Sequence, residues 1–284
     1  MKKCLLACLL SLSLQHAAAA IPQSPVAAVL GLPLRVDSNV SFIVHGKSMI
    51  ALVGEIDAAS VDAITRIAPG TPAPKTLYID SPGGDLEAAL KLANFVREYD
   101  VRVVVAGRCF SACAHYVFSA ARRKEGMPGS LVGIHNKRFH YREKDRILSL
   151  NANVDTDKAR IMATPEIRQG YREALRLEHD FFAKNGISTR YHDIYTAFDT
   201  ARGKLVPAAP ARCRNIDLWI LTRPQLESMG VKGIGSFWAP ASAAEARSSA
   251  AKLGLREELV FFGSPEQLAD LCKPTVMERL RALF

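Results

Sequence analysis

The sequence predicts an α/β fold with helices packed on largely parallel strands. Three observations carry that expectation. Short apolar runs alternate with segments whose apolar residues recur at helical spacing, as in Leu86, Ala89, Leu90, Ala93 and Val96. Gly- and Pro-rich turns punctuate the joins, notably Ser81-Pro82-Gly83-Gly84. The 284-residue chain, less its first twenty residues, leaves 264, ample for one domain with a full core plus appendages.

Those first twenty residues read as a secretory signal peptide. Lys2 and Lys3 form a positive n-region, Cys4 to Leu14 an apolar h-region, and Ala17-Ala18-Ala19-Ala20 a small-residue cleavage site. Leu5-Leu6-Ala7-Cys8 loosely mimics a lipoprotein box, but cleavage there would leave almost no h-region. Cleavage is expected after Ala20. No later segment is long and apolar enough to span a bilayer, so the expected product is soluble and periplasmic or secreted. Residues 21–40 are Pro/Ala-rich and read as an N-terminal arm.

Phe42 to His45 and Met49 to Val53 then read as two strands across a Gly46-Lys47 turn. A helix is expected over 58–67, and a strand over Thr76 to Ile79. Asp80-Ser81-Pro82-Gly83-Gly84-Asp85 is a sharp turn opening the helix of Leu86 to Val96. Val101 to Ala106 reads as a buried strand, Ser111 to Ala121 as a buried helix, and Leu131 to Ile134 as a strand ending at His135. The polar stretch 136–160 reads as an insertion or lid, followed by helices over 165–184 and 188–200. A Pro/Ala loop precedes Cys213, Leu218 to Leu221 is a strand-like run, and Arg223 to Met229 a short helix. Beyond Trp238 the Ala, Ser, Glu and Leu content predicts helices packed on the domain edge. The organisation is thus a signal peptide (1–20), an arm (21–40), a main domain (41–235) and a C-terminal helical extension (236–284). No internal repeat is visible.

The formal charge of +9 falls to +7 once Lys2 and Lys3 are removed. The densest basic cluster, Lys137 to Arg146, also holds Glu143 and Asp145, and no recognition motif or aromatic interleaving accompanies it. A solvated face is the better reading, and no nucleic-acid partner is expected. Of six cysteines, Cys109, Cys113, Cys213 and Cys272 lie beyond the signal. An even number in an oxidising compartment suggests disulfides, with three pairings open, although small buried hydrophobes are the alternative. No metal site is expected, because neither C-x-x-C nor a histidine pair occurs at ligand spacing, and no cofactor is called for.

Four pieces could carry chemistry. Gly83 and Gly84 let backbone approach a ligand closely beside a helix N-terminus rich in N–H donors, although a plain turn would use the same residues. Ser111 lies where a strand meets a helix, a good place for a nucleophile and also the commonplace position of an N-cap. His135, at a strand end, has the chemistry of a general base. A carboxylate must orient its imidazole; Asp217 is the best placed, with Glu178, Asp180, Asp193 and Asp199 as rivals.

Gly54-Glu55-Ile56, Leu77 to Gly84, Gly107 to Ala114, Val132-Gly133-Ile134-His135-Asn136 and Leu221 to Val231 together resemble the Clp protease proteolytic subunit, within the wider Clp-protease/crotonase superfamily. The likeness runs in register over residues 42–233. It implies stacked ββα units with mostly parallel strands, Ser111 as nucleophile, His135 as general base, and the Gly84 and Ala112 N–H groups as oxyanion hole, with Gly83 supporting the turn. Counting back from Pro224, the family's aspartate falls on Leu218, so a one-residue shift is needed to reach Asp217. The resemblance also implies a peptide or protein substrate and a homo-oligomer. An ATP-driven unfoldase is not carried over to an exported chain.

The leading expectation is therefore an exported serine hydrolase, a peptidase by resemblance. A non-catalytic binding or scaffold protein on the same fold is the alternative. A crotonase-type acyl-thioester enzyme is disfavoured by the Ser/His pair, and a cysteine nucleophile at Cys109 or Cys113 is a further option.

Overall fold

In the computed structural model, the described residues are Val26, 42–46, 48–67, 74–135, 139–144, 146–152, 155–188, 190–191, 193–194, 196–198, 213 and 215–277. The expected signal peptide, nearly all of the arm, Asn136 and Asp199 lie outside them.

The strands are β1 (Phe42–Gly46), β2 (Met49–Val53), β3 (Thr76–Ser81), β4 (Arg102–Phe110), β5 (Lys124–Gly126), β6 (Leu131–His135), β7 (Phe139–Glu143), β8 (Arg146–Leu150), β9 (Leu218–Ile220), β10 (Ile234–Phe237) and β11 (Val260–Phe262). The helices are α1 (Ala58–Ile67), α2 (Leu86–Glu98), α3 (Cys113–Phe118, a π-helix), α4 (Asp155–Ala163), α5 (Pro165–Asn185), α6 (Arg223–Ser228), α7 (Ala243–Lys252) and α8 (Pro265–Leu271).

The main sheet runs β1-β2-β3-β4-β6-β9-β11, with β5 pairing β4 and β10 pairing β5. All its ladders are parallel except β1 with β2 and β6 with β9. This is the α/β architecture expected from the sequence. Its central strand, β4, is shared between two neighbours. Val103 to Val105 pair with β5, and Arg108 to Phe110 pair with β6. The partner on that edge of β4 therefore changes between Val105 and Arg108, and the chain leaves for Ser111 from the end paired with β6.

Alternation along the strands sorts side chains onto two faces. Val103, Val105, Cys109, Val132, Ile134 and Trp219 join the large core with α1, α2 and α3. Phe110, Leu131, Leu218 and Ile220 join a smaller core covered by Ala246 and Ala250 of α7. Helix α2 forms because Asp85 caps it, its carboxylate accepting from the Ala88 N–H at 2.9 Å. The same helix buries Ala88, Ala89, Leu92, Ala93, Phe95 and Val96 on one stripe. Thr222 opens α6 and Ser264 opens α8, each in a capping box with a glutamine three residues on and proline in the first turn.

Three elements depart from the sequence expectation. The stretch 136–160 holds a hairpin, β7–β8, because Phe139 and Tyr141 alternate with His140 and Arg142. Its aromatic side packs on α5, where Leu150, Ile161, Ile167 and Tyr171 form a satellite core. A Cβ on Gly170 would stand 3.2 Å from the Phe139 ring, so the glycine lets the hairpin settle on the helix. The C-terminal segment is not only helical: β11 extends the main sheet parallel to β9, and β10 straddles the expected boundary at residue 235. Finally, β4 runs on through Gly107-Arg108-Cys109-Phe110, past the Ala106 at which the sequence predicts the valine-rich strand to end.

Candidate functional site

The site is built where three strand ends meet. Beyond β3, the backbone runs through Pro82, Gly83 and Gly84 into Asp85 and α2. The Gly83 N–H donates to Ser81 Oγ at 3.1 Å, and the Ile56 N–H donates to the Gly83 carbonyl at 2.7 Å. The Asp85 N–H donates to the Ile56 carbonyl at 2.9 Å, so Ile56 and the turn grip each other around Gly84. A side chain at Gly84 would overlap the Ile56 backbone, and Gly83 lies at φ +106°. Both positions thus require glycine.

Ser111 follows the last residue of β4. Its φ is +53°, the left-handed region that a residue with a Cβ enters at a cost. Its N–H donates to the Gly133 carbonyl at 3.1 Å, and its carbonyl accepts from the His115 N–H at 2.8 Å. The turn ends a strand and starts a helix, and it lifts the serine out of the surrounding core: Phe110 and Ala112 are 3% and 5% exposed, whereas Ser111 is half-buried. An ideal Cβ on Gly83 would stand 2.7 Å from the Ser111 Cβ and 3.1 Å from the Ala112 nitrogen. The Gly-Gly turn and the serine turn are therefore in contact, although 27 residues separate Gly84 from Ser111 in the sequence.

His135 ends β6, the neighbour of β4. Since Phe110 pairs with Gly133, continuation of the parallel register brings the end of β6 beside Ser111. His135 is half-buried and pairs across the antiparallel ladder with Leu218. Asp217 precedes Leu218, and its N–H donates to the Leu259 carbonyl at 2.9 Å. Leu218 itself points into the smaller core. Among the rivals, Glu178 is buried and accepts from the Tyr116 hydroxyl at 3.0 Å, Asp180 is exposed and paired with Arg176 at 2.7 Å, and Asp193 is exposed.

The four cysteines form two bridges, Cys109–Cys113 and Cys213–Cys272, with Cα separations of 5.2 and 5.6 Å. The first spans Ser111. Neither cysteine beside the serine is thus a free thiol, which removes the cysteine-nucleophile alternative for this oxidised form.

Two features escaped the sequence reading. Asp80, 2% exposed, accepts at Oδ1 from both the Arg108 N–H (2.9 Å) and the Arg108 Nε (2.8 Å). A Cβ on Gly107 would lie 2.6 Å from the Asp80 carboxyl carbon. The pair ties the residue before Ser81 to the strand that delivers Ser111, across the irregular register between β3 and β4. The signal for it was an aspartate directly ahead of the turn and an arginine three residues before the serine. The second is Lys124, 1% exposed, whose Nζ donates to the Ser119 carbonyl at 2.9 Å and lies 5.5 Å from the Phe118 ring centre. Burial, with a smaller push from Arg97, lowers its pKa to about 7. A tripeptide Arg122-Arg123-Lys124 gives no hint that its last member is inside.

Among the described residues, no group of three or more His, Cys, Asp or Glu side chains could hold a metal ion. No helix there is long and apolar enough to cross a membrane.

No family model matches the chain. No curated protein matches it. Among solved structures, the chain is similar to a ClpP1 mutant from Listeria monocytogenes, at 14% identity and a TM-score of 0.38, over 69% of this chain and 93% of that one.

Proposed function

We propose that the protein is an exported serine hydrolase that cleaves peptide bonds, with Ser111 as nucleophile, His135 as general base and Asp217 orienting the imidazole. The observation that carries this reading is the left-handed turn at Ser111, directly after the end of β4 and in contact with the Gly83 turn. A strained strand-to-helix turn lifts a hydroxyl clear of the sheet and leaves helix N–H groups beside it. Two disulfides support an oxidising compartment.

In this reading His135 takes the proton from Ser111 Oγ as the oxygen attacks the scissile carbonyl. The Gly84 and Ala112 N–H groups hold the resulting oxyanion. The Gly83 N–H, already given to Ser81 Oγ, supports the turn instead. His135 then protonates the leaving amine, and water, deprotonated by the same imidazole, releases the acyl group.

The test is covalent labelling by a fluorophosphonate probe. Wild type should label and Ser111→Ala should not; equal labelling of the two overturns the reading. A non-catalytic scaffold is the second reading, favoured by the bridge that closes over Ser111 and by the π-helical start of α3. A folded wild type that never labels selects it.

A further inference from the structure

The loop closed by the Cys109–Cys113 bridge has one member that is not fully buried. Cys109 and Cys113 are each 0% exposed, Phe110 3% and Ala112 5%, and only Ser111 reaches solvent. Cys109 is fixed on both sides, paired with Ser81 of β3 and with Val132 of β6. Cys113 opens α3. The bridge therefore ties the middle of the sheet to the first turn of the helix, directly across a residue whose backbone is in the unfavourable left-handed region.

We infer that the Cys109–Cys113 bridge is a positioning element for Ser111, holding the turn that presents its hydroxyl, and is not a redox switch. This rests on the reading of Ser111 as nucleophile. The Ser111 N–H bond to the Gly133 carbonyl and the His115 N–H bond to the Ser111 carbonyl also hold the turn, and the bridge adds a covalent tie to them. Relaxation of φ toward the helical region would re-aim the Ser111 side chain. Displacements of about 1 Å are enough to lose about 10²-fold in rate. A switch would need a thiolate to attack one of the two sulfurs, and both cysteines are sealed in the core. The bridge forms once, during folding, when the two thiols give up two protons and two electrons. The electrons pass to a disulfide oxidant, which is reduced to its dithiol.

The experiment compares wild type with C109A/C113A in two readouts. The first is the rate of fluorophosphonate acylation at saturating probe, separated from apparent probe binding. The rate should fall roughly 10–100-fold, with the apparent binding constant within about 2-fold of wild type. The second is hydrogen exchange at the Ser111 and His115 amides, which should accelerate at least about 10-fold while the Val103 to Val105 amides keep their protection. If C109A/C113A does not fold, C109V/C113A replaces it in both readouts: valine refills the buried strand position of Cys109 without restoring a bridge, and the Cys213–Cys272 bridge is kept.

Unchanged exchange at both amides, or an unchanged saturating rate in a protein that labels, overturns the inference. Opening of the bridge by dithiol under native conditions within minutes overturns the claim that it is no switch. If wild type fails to label but exchange responds as expected, the hydrolase reading fails and the positioning of the turn stands.

Discussion

The two disulfides close loops of very different size, and the contrast separates two ways a crosslink can act. Cys109 and Cys113 are 4 residues apart in sequence, whereas Cys213 and Cys272 are 59 apart. Both lie in the core. The long bridge fastens the end of α8 to the segment ahead of β9, and so ties the last strand of the sheet to its neighbour. Its effect falls mainly on the unfolded chain, whose freedom it restricts. The short bridge removes little of that freedom, so its contribution lies in native geometry, across a residue held in the left-handed region.

The largest expected effect sharpens this contrast directly. In the chain-entropy account, losing the long bridge costs about 4 kcal/mol and losing the short one about 2 kcal/mol. Urea midpoints of C213A/C272A and C109A/C113A, under non-reducing conditions, should fall in that order. The reverse order would break the comparison.

Next comes the far end of the same helical segment, where Lys124 holds the Ser119 carbonyl. Its folded pKa, about 7, lies below the ordinary lysine value of 10.5. Between those values the unfolded chain binds a proton that the native chain does not, so stability rises with pH across that window, by on the order of 3 kcal/mol. Below pH 7 the full burial cost applies. Lys124→Met should abolish the rise, as read from urea unfolding at pH 7 and pH 10, and should leave exchange at the Ser111 amide unchanged. A loosened Ser111 amide in that variant would mean that the turn depends on the far end of the helical segment as well as on its bridge and backbone bonds.

The smallest effect tests how rigid the bridged turn is. Gly83→Ala would set a methyl 2.7 Å from the Ser111 Cβ and 2.8 Å from the Phe110 carbonyl oxygen. Acylation should slow about 10²-fold. In the C109A/C113A background the added penalty should shrink, because the turn can then yield, giving a coupling of at least about 0.5 kcal/mol in a double-mutant cycle.

Much of the scaffold was legible because its signals are local. The apolar periodicity of α2, the Pro and Gly of the Ser81 turn and the valine run of β4 each name their own element. The hairpin at 139–150 was missed because charge dominates it, and only Phe139 and Tyr141 reveal the alternation. The short strand β11 is just three residues between a Glu-rich turn and Gly263, too short to show a period. At the candidate site, Ser111, Gly83, Gly84 and His135 stand out by their place at element ends. Asp80 with Arg108, and the burial of Lys124, did not, because each depends on a partner brought in from another strand or helix.

The contact between Gly107 and Asp80 has a consequence for how such a chain can vary. Position 107 stays bare for as long as position 80 carries a carboxylate, since the carboxyl group fills the space a methyl would need. Shortening residue 80 would make room, but it would strand the Arg108 guanidinium and backbone N–H that now share one oxygen. Neither position can drift by itself. The three residues form a single packed unit, and a change at one unsettles the contacts of the other two.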